Sequence, residues 1–242
     1  MSRKNNTTAI KVVPTIASKE PQIVSIVQEW REVVQSTIKP TSWLCTGFVP
    51  SPGMVVAGQQ LHFIGEPNIK ELKKVATSAP FGKGTETVVD ETVRKGLQID
   101  PSLVEFTSPQ SWQKRLQGIA AELCNAYNEK EVSLVFYKML LYEEGGHFAP
   151  HKDTLRGKNH IASLLISLPV EGGCEGGVLR VKDVSSNVTM EWDGVCHDLS
   201  ASWCSFYTDC IHELVPLSGG KRVVLAYEVS IFSNCCRLIN IF

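Results

Sequence analysis

The spacing of hydrophobic residues changes from helical to strand-like partway along the chain. Before residue 130, apolar side chains recur every three or four positions, which predicts amphipathic helices over 21–36, 67–77 and 109–127. The third helix is preceded by Ser108-Pro109, a favourable pair for the N-cap and first helical positions. Between the first two, Pro and Gly interrupt the apolar runs of 43–64, which predicts short strands and turns.

From Ser133 onward the chain carries short apolar runs separated by turns that contain Gly, Asn or Asp. This pattern predicts strands at 133–142, 161–168, 177–182, 187–192, 202–207 and 221–231. Many short strands at this spacing are typical of an all-β barrel or sandwich. We therefore expect a mainly β fold, a double-stranded β-helix or jelly roll, buttressed by the N-terminal α-helices.

The length and composition suit a single domain. The 242 residues, 43% of them hydrophobic, provide ample core for one domain over 1–242. Within it we expect a loosely ordered N-terminus (1–20), a region of helical support with a candidate lid (21–130) and a catalytic jelly-roll core (131–232). The candidate lid is the segment 79–100, because long irregular segments are often functional.

Charge and cysteine usage exclude several classes of protein. A formal net charge of −1 lacks the basic excess of a general nucleic-acid binder. No apolar run approaches the ~18 residues of a membrane span, and the N-terminus lacks the apolar region of a secretory signal. The 8 cysteines form no paired C-x-x-C motifs at zinc spacing, which argues against a structural zinc site. Because no secretory signal is recognised, reduced thiols are expected. We expect a cytoplasmic or nuclear protein without nucleic-acid or membrane partners. The oligomeric state and the role of Cys235 and Cys236 stay open.

The strongest chemical signal lies in YEEGGHFAPHKDT and in YTDCIHELVPLSGGKR. His151 and Asp153 are separated by one residue, and His212 follows 61 residues after His151. Two histidines and one carboxylate form the facial triad of non-haem Fe(II) oxygenases. Residues two apart on a strand share a face, and a jelly roll can bring a distant strand beside them. Taken singly, each of these residues also fits an ordinary core or surface position.

Arg222 extends this signal, because it lies ten residues after His212 at the start of an apolar run. A guanidinium is suited to bidentate capture of a carboxylate. The co-substrate 2-oxoglutarate would chelate iron through its keto acid and present its far carboxylate to such an arginine. An isolated surface arginine is the alternative for this residue alone. Together with the three candidate ligands, Arg222 favours an oxygenase site.

These blocks resemble the prolyl-4-hydroxylase-like 2-oxoglutarate/Fe(II) dioxygenases over roughly 133–230. YEEGGHFAPHKDT is similar to the family's Tyr…His-x-Asp block, GGVLRV to its Gly-Gly-x-Leu strand, and HELVPLSGGKRVVLAYEV to its closing block. The stretch GKGTETVVDETVR also resembles uncharacterised fungal-type members. One departure is Ser167, near which animal oxygen-sensing prolyl hydroxylases have a Tyr that helps hold the distal carboxylate. Either Ser167 or another group would then assist Arg222.

The resemblance implies a set of roles and a reaction. His151, Asp153 and His212 would bind Fe(II), and Tyr142 and Arg222 would bind 2-oxoglutarate, with Arg222 counted in the catalytic set. O2 would be consumed, succinate and CO2 released and the substrate hydroxylated, with ascorbate as a candidate reductant. The substrate could be a peptide or protein, as for a prolyl hydroxylase, or a free small molecule or amino acid. A non-catalytic jelly-roll module that binds metal or 2-oxoglutarate is the third hypothesis.

Overall fold

The computed structural model describes residues 42–61, 69–83, 86–197 and 199–231, all within one compact unit, Pro40–Phe242. The predicted N-terminus 1–20 and the predicted helix 21–36 lie outside the described residues, and the single-domain organisation stays a prediction. The described helices are α1 (Ile69–Val75) and α2 (Pro109–Tyr127), with a 3-10 turn at Pro101–Leu103. Within these ranges, neither helix is both long and apolar enough to cross a membrane.

Most strands belong to two antiparallel sheets. The larger sheet contains, in spatial order, β1 (Leu44–Pro50), β16 (Ser200–Tyr207), β12 (His160–Leu168), β18 (Leu217–Ile231), β10 (Val132–Glu143), β8 (Leu97–Ile99) and β4 (Thr77–Ser78), with β13 (Cys174–Gly176) beside β18. The smaller sheet contains β15 (Thr189–Trp192), β14 (Leu179–Lys182), β17 (Ile211–Leu214), β11 (His147–His151) and β7 (Arg94–Lys95). The prediction of a mainly β jelly roll with supporting helices is confirmed.

Two smaller groups of strands complete the described fold. A three-stranded sheet contains β3 (Gln59–Leu61), β2 (Met54–Val56) and β9 (Val104–Phe106). A separate hairpin consists of β5 (Phe81–Lys83) and β6 (Glu86–Val88). The segment 79–100, which the sequence pattern left without a clear assignment, therefore consists of short strands from two sheets and a hairpin.

The predicted elements agree with the structure best where they are long. The helix predicted over 109–127 has the same bounds as α2, and the six predicted strands correspond to β10, β12, β14, β15, β16 and β18. The helix predicted over 67–77 extends too far at its C-terminal end. Helix α1 ends at Val75 because Thr77, two residues later, belongs to strand β4 and pairs with Gln98 of β8. The prediction also missed β11 and β17, two short strands that carry the candidate ligands.

Side chains along the strands of the larger sheet point alternately to its two faces, and one of these faces packs against the core. Helix α2 contributes five buried side chains to this core: Trp112, Leu116, Ile119, Leu123 and Tyr127. On β18, Val223, Leu225, Tyr227 and Val229 belong to the same cluster, whereas Arg222, Val224, Ala226 and Glu228 face a cavity. The Trp112 indole donates a hydrogen bond to the Tyr227 hydroxyl at 2.9 Å, which joins α2 to the sheet.

The cysteines within the described ranges are all free thiols. Cys204 and Cys210 are buried, and the others are partly buried. Cys235 and Cys236 lie outside the described residues.

Candidate metal and carboxylate site

A cavity of about 650 Å³ brings the sequence-predicted site residues together. The larger sheet contributes side chains from β10, β12, β16 and β18, and the smaller sheet contributes side chains from β7, β11, β14, β15 and β17. Its lining includes all five candidates: Tyr142, His151, Asp153, His212 and Arg222. No other cluster of three potential metal ligands occurs in the part of the chain that the structure describes.

The three candidate metal ligands converge on one point. His151 on β11 and His212 on β17 are directly opposite in the strand pairing, and their ring centroids lie 4.1 Å apart. Asp153 Oδ1 lies 3.7 Å from His212 Nε2. One potential ligand atom from each residue lies within 4.8 Å of the other two. Asp153 does not share a strand face with His151 as expected, because β11 ends at His151 and Asp153 follows it.

Hydrogen bonds fix how each of these side chains is presented. Nδ1 of His151 donates to the Ala149 carbonyl at 2.9 Å, and Nδ1 of His212 donates to the Cys210 carbonyl at 3.2 Å. Since a carbonyl oxygen can only accept, the proton sits on Nδ1 and the Nε2 lone pair stays available. Ser163 donates to Asp153 Oδ2 at 2.5 Å, which leaves Oδ1 on the side of the histidines. Such partners orient metal ligands in proteins.

Burial and mutual charge set the protonation of this cluster. Burial, followed by the neighbouring His212, lowers the pKa of His151 to about 3. Burial opposes ionisation of Asp153, but His212, the Ser163 hydrogen bond and His151 together hold its pKa below the ordinary value. At neutral pH the cluster therefore offers a neutral imidazole at His151 and a carboxylate at Asp153. These are the forms that bind a divalent metal, and two imidazoles with one carboxylate fit Fe(II).

Arg222 lies in the same cavity and is only 2% exposed. Its Nη1 donates to the Gly177 carbonyl and its Nη2 to the Asp193 carbonyl, and its Nε has no hydrogen-bond partner. Among the described residues, no acidic side chain forms an ion pair with this guanidinium. A buried cation held only by neutral groups is costly unless an anion joins it. Arg222 therefore fits the carboxylate of a ligand.

The positions of Tyr142 and Ser167 bear on which group could assist Arg222 in binding a carboxylate. Tyr142 lies opposite Arg222 in the pairing of β10 with β18, but its hydroxyl accepts a hydrogen bond from Arg94 Nη2 at 3.3 Å. Ser167 is buried, and it does not line the cavity. Of the two alternatives for the group that assists Arg222, the structure therefore favours a group other than Ser167.

The segment 79–100 borders the cavity together with the loop after Asp153. The hairpin of β5 and β6 contributes Phe81, Gly82, Glu86 and Thr87 to the lining, and the loop contributes Thr154 and Arg156. A Cβ placed on Gly82 would lie 3.1 Å from Thr154 Oγ1, so the hairpin and the loop approach each other closely. This position suits the predicted lid, and movement of the segment stays a prediction.

Sequence reasoning missed three contributors to the site. Lys138 lines the cavity from β10, four residues before Tyr142. The sequence contains a feature that could have identified Lys138, because this residue is a lone charge within an apolar strand. Ser163 had no signal, since a serine in a strand is common. Arg94 lies within the segment 79–100, and its bond to Tyr142 depends on a strand pairing that the local pattern does not specify.

Comparisons with known proteins identify the fold. No family model matches the sequence, and no curated protein matches it either. Among solved structures, the chain is similar to a prolyl hydroxylase from Trichoplax adhaerens in complex with a peptide of the hypoxia inducible factor oxygen degradation domain. The TM-score is 0.50 at 13% identity, covering 89% of this chain and 94% of that one. A prolyl-4-hydroxylase from Pseudomonas putida has a TM-score of 0.47 at 15% identity, covering 80% and 95%.

The likeness to the Trichoplax structure shows that the chain has the fold of that prolyl hydroxylase. The resemblance drawn from the sequence motifs is confirmed at the level of that fold. Identity this low does not carry a relative's activity over to the chain.

Proposed function

We propose that the protein is a prolyl-hydroxylase-like, Fe(II)- and 2-oxoglutarate-dependent dioxygenase that hydroxylates a substrate and releases succinate and CO2. One observation carries the proposal. Three potential ligand atoms, from His151, Asp153 and His212, lie within 4.8 Å of one another in a cavity that also contains the buried Arg222. No described acidic side chain forms an ion pair with this arginine. A metal site and a carboxylate site in one cavity are what binding of iron and 2-oxoglutarate requires.

Bound at this triad, Fe(II) would supply O2 activation, because a facial triad leaves positions open for co-substrate and O2. The protein itself keeps the three ligand side chains in the orientation and protonation state that bind a metal. The carbonyls of Ala149 and Cys210 keep the two Nε2 atoms unprotonated, and Ser163 holds one oxygen of Asp153. These contacts fix the orientation of the ligand atoms, so little reorganisation should accompany metal binding.

Arg222 would bind the distal carboxylate of 2-oxoglutarate. Its guanidinium is already positioned by the Gly177 and Asp193 carbonyls, so the side chain has little entropy to lose on binding. Apolar side chains of the cavity, such as Leu165, Phe206 and Leu214, would exclude water around this pair and strengthen the interaction. Tyr142 would contact the co-substrate from β10.

The substrate would enter between the β5–β6 hairpin and the loop after Asp153, which both border the cavity. The Trichoplax relative was solved with a peptide, which supports testing peptides. A free small molecule or amino acid is the second substrate class. The non-catalytic module would bind metal and 2-oxoglutarate without turning either over.

The test is 2-oxoglutarate turnover by the purified full chain with Fe(II), O2 and ascorbate. We expect succinate and CO2 to form in equal amounts, and a peptide and metabolite panel to increase their rate. The variants H151Q and D153N should lose both turnover and binding of Mn(II), whereas H197Q, a change at an exposed histidine outside the triad, should keep both. Binding of Mn(II) and 2-oxoglutarate without any succinate would establish the non-catalytic module instead. Failure to bind either would overturn the proposal.

A further inference from the structure

Two further cations line the cavity besides Arg222. Arg94 on β7 is 7% exposed. It donates to the Pro80 carbonyl at 2.9 Å and to the Tyr142 hydroxyl at 3.3 Å, and its Nε has no hydrogen-bond partner. Lys138 on β10 is partly buried and donates to Gln98 Oε1 at 3.1 Å. Among the described residues, both are therefore hydrogen-bonded to neutral groups only.

The acidic residues of the cavity do not neutralise this pair. Glu228 is paired with Arg156 at 3.1 Å, Asp153 belongs to the triad, and Glu86 is exposed on the hairpin. Within the described ranges, no carboxylate lies within ion-pair distance of Arg94 or Lys138. Buried charges in proteins are normally paired, and two adjacent cations also repel each other. An anion bound between them would offset both the cost of burying unpaired charges and the repulsion between the two cations.

Burial and the neighbouring charges also act on the ionisation of the lysine. Burial first, then the charges of Arg94 and Arg156, lower the pKa of Lys138 to about 7, while Asp153 opposes the shift. Both side chains are connected to strand β10. Arg94 bonds to Tyr142 of β10, and Lys138, four residues earlier on β10, bonds to Gln98 of β8. All four residues line the cavity. A single carboxylate within reach of both would interact with two cations at once.

Arg94 lies at the opposite edge of the smaller sheet from the groups that hold Arg222. In the smaller sheet the strand order is β15-β14-β17-β11-β7. Arg222 bonds to Gly177 and Asp193, which adjoin β14 and β15 at one edge, whereas Arg94 is on β7 at the other edge. The histidines of the triad are on β17 and β11, between these edges. A molecule held by Arg222 and one held by Arg94 would therefore reach the histidines from opposite edges of this sheet. Tyr142, which pairs with Arg222 across β10 and β18 and bonds to Arg94, would lie between them.

We propose that Arg94 and Lys138 bind a carboxylate of the primary substrate, which is a small organic acid. The inference rests on the proposed function, because it assigns the Arg222 side of the triad to 2-oxoglutarate. A small molecule is favoured because Arg94 is almost fully buried, so the anion must enter the cavity. The volume of about 650 Å³ has to hold the co-substrate as well. The carboxylate would anchor the substrate so that a neighbouring carbon faces the triad.

The experiment uses the full chain loaded with Mn(II) and saturating 2-oxoglutarate, so that the Arg222 side is filled. Butyrate and its neutral counterpart butyramide serve as probes, and NMR relaxation of each probe by Mn(II) reports binding near the metal. We expect butyrate to bind and butyramide to bind at least about tenfold more weakly. K138M should weaken butyrate binding by about tenfold, and R94M should do the same. K74M, which removes an exposed lysine from α1, should bind butyrate as the wild type does.

The outcomes separate this inference from the proposed function. Equal binding of butyrate and butyramide, or unchanged butyrate affinity in K138M, would overturn the inference alone. Loss of 2-oxoglutarate rather than butyrate in K138M and R94M would also overturn it, since the pair would then serve the co-substrate. Failure of the wild type to take up Mn(II) or 2-oxoglutarate would overturn the proposed function. The butyrate comparison, repeated without these ligands and read by chemical shift, would still decide the role of the pair.

Discussion

Ser163 donates a hydrogen bond of 2.5 Å to Asp153 Oδ2, while the other oxygen, Oδ1, lies 3.7 Å from His212 Nε2. The hydroxyl thus occupies one oxygen of the carboxylate and leaves the other for the cluster of ligands. It also helps to keep Asp153 ionised, since its hydrogen bond is among the causes that lower the pKa of this residue.

Removal of this hydroxyl should weaken metal binding without abolishing it. We expect S163A to bind Mn(II) about 10- to 100-fold more weakly, the usual effect of losing a group that supports a metal ligand. Isothermal titration calorimetry measures the change. S163T keeps a hydroxyl at the same position and should recover most of the affinity. Wild-type affinity in S163A would show that the hydrogen bond does not position Asp153.

Arg222 should determine the affinity for 2-oxoglutarate but not for metal. We expect R222M to lose roughly 2–5 kcal/mol of 2-oxoglutarate binding free energy, because a desolvated charge pair is lost, with Mn(II) affinity nearly intact. R180M is the matched control, since Arg180 is an exposed arginine paired with Glu191. Equal 2-oxoglutarate affinity in R222M and wild type would remove Arg222 from the binding site.

Gly194 should be required for the placement of the Arg222 side chain. Its φ is +66°, and a Cβ built on it would overlap Arg222 Nη2. Gly172 has a similar φ of +76°, but a Cβ there would meet no atom within 4 Å. Both G194A and G172A should lose about 1–2 kcal/mol of stability from the left-handed backbone. Only G194A should also lose 2-oxoglutarate affinity, by about tenfold or more.

Calorimetric binding and urea unfolding of the two glycine variants separate these effects. If G194A and G172A bind 2-oxoglutarate equally well, the guanidinium can move aside, and its position is not fixed by the close approach of the backbone.

Lys138 should make stability depend on pH in the alkaline range. Burial, Arg94 and Arg156 lower its pKa from 10.5 to about 7, against the attraction of Asp153. Between about pH 7 and 10.5 the unfolded chain keeps this proton and the folded chain does not, so the lysine's contribution to the free energy of unfolding rises with pH in this window. Below pH 7 both states are protonated, and the cost of burying the charge is fully present.

K138M should remove this dependence. Urea unfolding of wild type and K138M at several pH values should show the wild type gaining stability relative to the variant as the pH rises above 7. K74M provides the matched comparison for loss of an exposed lysine. A constant difference between wild type and K138M across the window would contradict the shifted ionisation.

The sequence predicted the residues of the site better than the elements that hold them. Metal chelation restricts residue types and spacing, so His151, Asp153 and His212 were recognisable from the chain alone. Their strands were not, because β11 and β17 have only five and four residues and their histidines interrupt the apolar pattern. The place of Asp153 just beyond its strand is likewise a property of the fold.

Contacts between distant segments account for the other features of the site that the sequence pattern does not predict. The bond between Arg94 and Tyr142 spans 48 residues and depends on β7 pairing with β11. The carbonyls of Gly177 and Asp193 that position Arg222 belong to the backbone, which every residue shares, so no side-chain pattern could identify them. By contrast, helix α2 was predictable because its apolar stripe and its proline at the first position are local features.

Strand β18 presents Arg222 to the cavity and, at the next position, Val223 to the core beneath α2. The strand is paired with β10 over 221–231 and with β12 over 223–230, so Arg222 is paired with β10 and adjoins the stretch that is paired on both sides. The backbone that carries Arg222 therefore cannot open on its own without separating the central strands of the sheet. Amide protons around Arg222 should consequently exchange with solvent only through global unfolding, at rates set by the stability of the whole sheet. The backbone at the carboxylate site would then open only when the whole fold unfolds. The amide protons of the β5–β6 hairpin at the edge of the cavity would exchange independently of that event.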